Sequence, residues 1–397
     1  MRRNRIIFWL GEASPHQSGY LRALADLLTG KTIIAVLQQR LQTERLTLGW
    51  QTPHLGRMDV VMSPDQRTVE EIALREPENT VHIFGGLRLP MVDRALRICA
   101  PTTALIGVLS EARRWEGWAG KFRLLHSYVV ERPYRNRVDF VLAIGHAGVR
   151  WYEMCGYPSE RTFSWGYFVE NEERKSIQRS QKHQGGDVAI AFVGQCIPRK
   201  GIDILLRALS MLEVQQWRLC IIGDGPQRPS LEGLSRKLRV AKRVAFMGVK
   251  NNAEVRGILD ETDLLVLPSR FDGWGSVVNE ALMSGVPVIC SDHCGAADLV
   301  RASGFGETVQ ARSAEDLATV LDRRIRNGRL PESHRSEIQA WSKCIEGEAA
   351  ARYLIKVIEH IDEGKDAPVA PWLRERSAAN IHLDNNERIA SDVWIDC

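Results

Sequence analysis

The sequence of 397 residues lacks the patterns that mark several common protein classes. Its eight cysteines are scattered and form no Cys-x-x-Cys pair, which argues against a disulfide framework and against a structural zinc site. Cys290, His293 and Cys294 lie close in sequence, but without a second ligand pair we expect no metal there. This use of cysteine is typical of a reducing compartment.

Long apolar runs and a strong net charge are also missing. The apolar run Ile6–Leu10 behind the basic N-terminal residues is far too short for a secretion signal, and it indicates a first buried strand instead. No stretch approaches the length of a membrane-spanning helix. A formal net charge of +4 is too small to indicate a nucleic-acid partner. We therefore expect a cytoplasmic protein that binds no nucleic acid.

What the chain does contain is a regular alternation of short apolar runs and segments of helical spacing. Strand-like runs occupy residues 6–10, 32–37, 60–62, 81–84, 103–108, 140–144, 188–193, 218–222, 244–246, 264–267 and 286–290. Helical spacing in the first half occupies residues 20–28, 68–75, 91–99 and 147–155. This alternation predicts an α/β fold with mostly parallel sheets that helices cover on both faces.

The chain is too long for one average core, and its composition indicates where it divides. Residues 170–187 are polar and charged without an apolar period, so we predict a linker there. Rossmann-like domains are then expected at 1–169 and 188–340. In the remaining segment, 341–397, we expect a helix at 347–361 that crosses back to the first domain, followed by a surface tail.

A strand, a polar loop and a helix follow one another between residues 263 and 291. Pro268 closes the apolar run of the strand, and Gly273 and Gly275 allow the loop backbone to approach a ligand. We expect the N–H groups of Ser276 and Val277, where the helix begins, to face an anion such as a diphosphate.

Two acidic residues frame this helix start. Asp272 precedes the helix and Glu280 lies about one turn inside it, so either carboxylate could accept hydrogen bonds from ligand hydroxyls. The alternative is structural: Asp272 caps the helix and Glu280 is solvated.

The spacing resembles the donor-binding signature of the retaining GT-B glycosyltransferases called family four. In that signature a strand and Pro-Ser precede an acidic residue, seven further residues and a glutamate, as they do here from Pro268 through Asp272 to Glu280. The resemblance covers roughly residues 187–310 and includes the segments 193–194, 198–201, 223–226 and 246–248. It implies a GT-B fold, in which two Rossmann-like domains face each other across a cleft and the second binds the nucleotide.

The resemblance also implies which residues bind the donor. Gly194 ends a strand, and Arg199 and Lys200 lead into a helix, where two cations are unfavourable unless an anion accompanies them. Lys200 matches the family's lysine, whereas the family's arginine is Gln195 here, so Arg199 is its candidate substitute. A solvated basic turn is the alternative.

Further donor contacts follow from the same resemblance. Glu280 is expected to bind the ribose hydroxyls and Asp272 the hydroxyls of the transferred sugar, with a catalytic role for Asp272. Val249 lies where relatives hold the base through backbone groups. The remaining donor-binding candidates are Gly273, Gly275, Ser276 and Val277.

The first domain is expected to bind the acceptor. The polar segment 11–19 after the first strand corresponds to the family's acceptor-side glycine loop, and we expect it to be a loop that leads into a helix. Its acceptor-side candidates are His16, Gln17, Ser18 and Gly19. Relatives commonly place a histidine after the strand 103–108, where this chain has Glu111. Glu111 either accepts a proton or supports the developing oxocarbenium charge, or it merely starts a helix.

Basic residues alternate with tryptophans between residues 113 and 137. This composition suits an anionic membrane surface, and relatives that act on lipid-linked acceptors use a similar one. The alternative is a helix that packs within the domain and exposes a basic face.

The absence of any Asp-x-Asp motif argues against a metal-bridged donor site. The resemblance therefore implies a retaining, metal-independent glycosyltransferase without a cofactor. It would move a sugar from a nucleotide-sugar donor to a saccharide or lipid-linked acceptor, in bacterial polysaccharide or lipopolysaccharide assembly at the inner face of the membrane. The alternatives are another GT-B enzyme, such as a nucleotide-sugar epimerase, and a catalytically inactive homologue that serves as a binding partner.

Overall fold

The computed structural model describes residues 1–47, 50–113, 117–169 and 186–374. Two parallel β-sheets form its framework, as the sequence predicts. Their strands are β1 Arg5–Leu10, β2 Thr32–Leu37, β3 Asp59–Met62, β4 Thr80–Gly85, β5 Leu105–Glu111, β6 Phe140–Ile144, β7 Thr162–Trp165, β8 Val188–Val193, β9 Trp217–Ile222, β10 Val244–Gly248, β11 Leu264–Leu267, β12 Val288–Ser291 and β13 Gly306–Val309.

The seven-stranded first sheet has the order β3-β2-β1-β4-β5-β6-β7, and the six-stranded second sheet has the order β10-β9-β8-β11-β12-β13. We call each sheet with its helices the first and the second domain. The central strands β1 and β11 are buried along their whole length, which explains their continuous apolar runs. In both sheets the order reverses beside the first strand, and parallel sheets bind ligands at such switch points.

Helices cover both sheets. They are α1 Pro15–Leu27, α2 Thr43–Thr47, α3 Gln66–Leu74, α4 Pro90–Cys99, α5 Gly117–Val130, α6 Arg132–Arg135, α7 Gly148–Met154, α8 Ile202–Ser210, α9 Arg228–Lys237, α10 Asn252–Asp260, α11 Val277–Met283, α12 Ala297–Ser303, α13 Ala314–Arg326, α14 Glu332–Ser342, α15 Gly347–Glu363 and α16 Pro371–Arg374. None of the described helices is long and apolar enough to cross a bilayer.

One local expectation and one of two open alternatives were wrong. The acceptor-side residues 16–19 belong to the first turns of α1 rather than to a loop, because Ser14 caps the helix and Pro15 occupies its first turn. Glu111 is the last residue of β5 and does not start a helix. The sequence analysis also missed the short edge strands β7 and β13.

The helix α15 returns to the first domain, as predicted. Its first residue, Gly347, lies so close to Gly19 in α1 that a Cβ atom on it would be 2.5 Å from the Gly19 carbonyl oxygen. Farther along, Tyr353 stacks on Trp165 with ring centroids 5.6 Å apart. The predicted linker falls almost entirely at 170–185, outside the described residues, and so does the tail beyond residue 374.

The contact at Gly347 generates a stability prediction. Gly347→Ala forces a methyl group against backbone atoms of α1, so it should destabilise the fold by about 1–3 kcal/mol. Gly257, inside α10, is the control because a Cβ there has no neighbour within 4 Å. Gly257→Ala should stabilise by about 0.5–1 kcal/mol. Urea unfolding of both variants tests this, and equal stability would contradict the close packing of α1 on α15.

Candidate functional site

A cleft of about 660 Å³ lies between the two domains. Most of the predicted donor-site residues line it, namely Gly194, Arg199, Lys200, Val249, Gly275, Ser276, Val277 and Glu280. From the acceptor side, His16 and Ser18 line it. Gln17, Gly19, Glu111, Asp272 and Gly273 lie outside this lining. The structure therefore gathers residues that are up to 264 positions apart in the sequence, from His16 to Glu280.

Asp272 lies behind the cleft wall and holds the two cations of the predicted phosphate site. Its Oδ2 atom is 2.6 Å from Lys200 Nζ, and its Oδ1 atom is 3.3 Å from an Arg199 guanidinium nitrogen. Burial alone would raise the pKa of this carboxyl, but Lys200 and Arg199 more than offset that effect and lower it. Asp272 is therefore a charged counter-ion rather than the cap of α11, whose N-cap residue is Ser276.

The environment of Glu280 raises its pKa, whereas the environment of Asp272 lowers the pKa of that carboxyl. It is half-buried in the first turn of α11, and within the described part of the chain its carboxylate makes no hydrogen bond or ion pair. Burial raises the pKa of Glu280 to about 7, against a smaller lowering effect of Arg256. The cleft thus contains a carboxylate that is costly to ionise until a ligand donates hydrogen bonds to it.

Glu111 connects the two domains below the cleft. The Tyr167 hydroxyl donates a hydrogen bond to Glu111 Oε1, and a Cβ on Gly273 would be 2.1 Å from Glu111 Oε2. Burial raises the pKa of Glu111 although the bond from Tyr167 lowers it. The carboxyl of Glu111 therefore contacts the backbone of the donor loop and leaves no room for a side chain at residue 273.

His16 faces the cleft from the start of α1, within an aromatic cluster. Its ring stacks on Tyr167 at 5.2 Å between centroids and meets Trp50 edge-on at 4.7 Å. Burial lowers the pKa of His16 to about 4, with Arg45 contributing, so the imidazole is neutral at pH 7. The Nδ1 atom of His16 is buried and has no hydrogen-bond partner among the described residues.

Trp274, in the middle of the donor loop, ties that loop to the first domain. Its Nε1 donates to Asn279 Oδ1 at 2.8 Å, and Asn279 Nδ2 in turn donates to the carbonyl of Tyr167 at 2.9 Å. Sequence reasoning missed these residues and Tyr167, because buried aromatic residues are usually core residues and nothing in their spacing links positions 167 and 274.

A second cross-domain contact also escaped sequence reasoning. The His146 backbone N–H donates to Gly295 at 2.9 Å, and His146 Nδ1 lies 2.7 Å from Asp298. His146 follows β6 and Asp298 lies in α12, so this pair is a contact between the two domains that is separate from the one at Glu111. Among the described residues, no three or more His, Cys, Asp or Glu side chains cluster in a way that could hold a metal ion.

Comparison with known proteins identifies the fold and one matching family. Residues 173–341 match the family described as Glycosyl transferases group 1. The solved structure of Anabaena HepE with UDP superposes with a TM-score of 0.67 over 89% of this chain and 99% of that protein. The chain has the GT-B fold, and its match to the group 1 family covers residues 173–341. At 16% identity, the structural likeness alone shows only the fold.

Two further proteins resemble this chain, one in structure and one in sequence. The apo structure of the lipopolysaccharide outer core galactosyltransferase WaaB superposes with a TM-score of 0.68 over 89% of this chain and 99% of that protein, at 16% identity. An uncharacterized glycosyltransferase of Methanocaldococcus jannaschii is 32% identical over 153 residues, 38% of this chain and 39% of that protein. The matched region thus spans about two fifths of the curated relative.

The raised pKa of Glu280 predicts a pH-dependent effect on stability. A carboxyl whose pKa is higher in the folded state binds its proton more tightly there, so its contribution to stability falls as the pH rises from about 4.5 to about 7. Relative to the parent, Glu280→Gln should therefore become more stable across that window, by roughly 1–3 kcal/mol. Urea unfolding at pH 5 and pH 8 measures the difference.

Glu71, which is 62% exposed, provides the control. Glu71→Gln should change the free energy of unfolding by no more than about 0.5 kcal/mol. If the stability difference between Glu280→Gln and the parent is the same at pH 5 and pH 8, the Glu280 carboxyl is not desolvated.

Proposed function

We propose that the protein is a retaining, metal-independent glycosyltransferase without a cofactor. It moves a sugar from a nucleotide-sugar donor to a hydroxyl of a saccharide or lipid-linked saccharide, in bacterial polysaccharide or lipopolysaccharide assembly. The observation that carries this proposal is Glu280: a half-buried carboxylate that has no hydrogen-bond or ion-pair partner among the described residues and shares a cleft with Lys200. One group suits the ribose hydroxyls and the other suits the diphosphate. The relatives named for such transfer reactions support the same assignment.

The donor diphosphate would bind at the β8–α8 connection. Gly194 has a φ of +152° there, a backbone conformation that favours glycine, and it lies beside the Lys200 side chain, since a Cβ on it would be 3.5 Å from Lys200 Cε. Asp272 forms ion pairs with both Lys200 and Arg199 and so offsets one of their two charges. A bound diphosphate supplies stronger, multiply charged acceptors, so these cations can turn to it without crossing the cleft. The structural neighbour HepE binds UDP, which supports a nucleoside diphosphate as the ligand.

During transfer, the bond between the anomeric carbon and the diphosphate oxygen breaks and a bond from the acceptor hydroxyl forms on the same face. We assign the transferred sugar's hydroxyls to Asp272, which is paired with Lys200 next to the proposed diphosphate site. Because Asp272 lies behind the cleft wall, it reaches these hydroxyls only after the bound diphosphate draws Lys200 away from it. The acceptor's proton passes to a basic oxygen, and the candidates are Glu111 and the departing diphosphate. Glu111 reaches this position only if the donor loop at Gly273 shifts, because its carboxyl now packs against that loop.

The test is nucleotide binding and turnover of a panel of nucleotide sugars, with two variants. Lys200→Gln removes the charge but keeps a donor for Asp272, and it should weaken UDP binding by about 1.5–3 kcal/mol. Asp272→Asn releases Lys200, so it should preserve UDP affinity while lowering the turnover of the sugar donor. Arg67→Gln, an exposed surface change, should alter neither quantity.

Each alternative function has its own outcome in this experiment. Rearranged nucleotide sugar formed without an acceptor indicates an epimerase, and binding without any turnover indicates an inactive homologue. If no nucleoside diphosphate binds, the proposal is wrong.

A second proposal concerns where the enzyme works. On α5 the large apolar side chains face solvent: Trp118 is 80% exposed, Phe122 70% and Leu125 59%. They recur at helical spacing, while Gly120 and Ser127 form the buried face. The helix contains Lys121 and Arg123 but no acidic residue. We propose that this surface docks on an anionic membrane, because a stripe of exposed apolar side chains with cations fits a bilayer interface.

Vesicle sedimentation tests the membrane proposal. The protein should sediment with phosphatidylglycerol vesicles more than with phosphatidylcholine vesicles, and the double change Trp118→Ser with Phe122→Ser should reduce sedimentation by at least about tenfold, since each buried aromatic contributes ~1.5–3 kcal/mol. Leu74→Ser is the control, because Leu74 is 52% exposed on α3. Equal binding to both vesicle types, or no loss in the double variant, contradicts the proposal.

A further inference from the structure

The carboxylate of Glu111 is held by a tyrosine. Among the described residues it accepts one hydrogen bond, from the hydroxyl of Tyr167 to its Oε1 atom. Glu111 ends β5, and Tyr167 follows β7, which lies two strands farther along the same sheet. The hydrogen bond therefore lies within the first domain, and a shift of the donor loop need not break it.

Tyr167 is fixed at its ring and at its backbone. The His16 ring stacks on the Tyr167 ring with centroids 5.2 Å apart and an angle of 16° between the planes. The carbonyl of Tyr167 accepts a hydrogen bond from Asn279 Nδ2 at 2.9 Å, and the N–H of Phe168 donates to the carbonyl of His16 at 3.2 Å. These contacts set the position of the tyrosine without using its hydroxyl, which is left to bind Glu111.

The neighbours of Glu111 determine whether its carboxyl is charged. Burial raises its pKa above the ordinary value of 4.5, and the hydrogen bond from Tyr167 has the largest opposing effect. The Asp272 carboxylate raises the pKa further, whereas Arg199 and Arg45 lower it by smaller amounts than Tyr167 does. Tyr167 is thus the neighbour that most favours the ionised carboxylate.

Tyr167 keeps its own proton in this arrangement. Burial raises the pKa of its hydroxyl well above the ordinary value, and the adjacent Glu111 carboxyl raises it further. The hydroxyl therefore stays protonated at neutral pH and acts as a donor. The hydrogen bond then stabilises a negative charge on Glu111 and not one on the tyrosine.

From this geometry we infer that Tyr167 is the positioning residue of Glu111: it holds the carboxylate in one orientation and keeps it ionised for sugar transfer. The inference rests on the proposed function, in which Glu111 is a candidate to accept the proton of the acceptor hydroxyl. Its other expected role is to support the positive charge that develops on the transferred sugar. A protonated carboxyl can do neither. Tyr167 does not line the cleft, so it acts only through Glu111.

Urea unfolding at several pH values tests whether the hydroxyl recognises the charge. The proteins compared are the parent, Tyr167→Phe, Glu111→Gln and the double variant. Because the pKa of Glu111 in the folded protein is above 4.5, its carboxyl ionises only as the pH rises beyond that value. Removal of the Tyr167 hydroxyl should raise this pKa further, so Tyr167→Phe should lose stability relative to the parent as the pH rises.

The expected size of this effect follows from the pKa shift. Between about pH 4.5 and pH 9, the unfolding constant of Tyr167→Phe divided by that of the parent should increase by about tenfold, which corresponds to a shift of about one unit. In the Glu111→Gln background the same ratio should stay constant. Other titrating groups, such as Glu280, are common to both proteins in each ratio and cancel.

Tyr20→Phe is the matched control for the loss of a buried hydroxyl. The Tyr20 hydroxyl is buried and has no hydrogen-bond partner among the described residues. Its removal takes no hydrogen bond away from a carboxylate. The unfolding constant of Tyr20→Phe divided by that of the parent should therefore not change with pH.

Turnover of the sugar donor gives the second readout. Because the ionised carboxylate is required, kcat of the parent should fall at low pH, and in Tyr167→Phe this fall should move to higher pH by about one unit. KM for the donor and the affinity for UDP should not change. A purely structural defect would instead lower kcat by the same factor at every pH. Glu111→Gln should lose most of the turnover throughout.

Several results would overturn the inference. An unfolding ratio for Tyr167→Phe that is independent of pH does so, as does a ratio that changes equally in the Glu111→Gln background. An unchanged kcat profile in Tyr167→Phe, or full turnover in Glu111→Gln, also refutes it. If the parent turns over no nucleotide sugar, the proposed function fails, and the role of this pair in transfer fails with it. Normal turnover with a flat unfolding ratio refutes the positioning role alone.

Discussion

The buried ion pair between Asp272 and Lys200 is the interaction on which the rest of the site depends. It joins the loop after β11 to the connection after β8, and Arg199 reinforces it from the same connection. Arg270, two residues before Asp272, adds a bidentate pair with Asp203 at 2.7 and 2.8 Å. A buried charge pair of this kind costs desolvation energy, so it adds little to the stability of the fold. We infer that it instead keeps the two cations positioned for a ligand.

The donor loop is also where the two domains meet, and small residues make that meeting possible. Cβ atoms on Gly145 and Gly295 would lie 2.7 and 1.9 Å from the carbonyl oxygen of Gly273. Trp274 fills the adjacent space beside Gly166. Glu111 and Tyr167 pack on the same loop, so a shift of Gly273 would change the packing around the Glu111 carboxylate.

Sequence reasoning predicted the parts of the fold that depend on local pattern. The strand β11, the glycine-containing loop and the position of Glu280 all follow from residues within one short segment. The partners of Asp272 could not be predicted, because Lys200 lies 72 positions away and only the folded sheet brings the two together.

The polar residues 16–19 were mistaken for a loop, although the Ser14–Pro15 start signal was present. The edge strands β7 and β13 were missed because they are short. The composition of residues 113–137 indicated either a membrane surface or a helix packed within the domain, and only the fold shows which side chains of α5 are exposed.

The central claim is that one cleft binds a nucleoside diphosphate between Lys200 and Glu280, and a crystal structure of the protein with UDP tests it most directly. The account predicts that Lys200 Nζ lies within hydrogen-bond distance of a phosphate oxygen and that the Glu280 carboxylate accepts hydrogen bonds from the ribose hydroxyls. UDP bound elsewhere, or bound here with Lys200 still paired only to Asp272 and Glu280 still without a partner, would contradict the account.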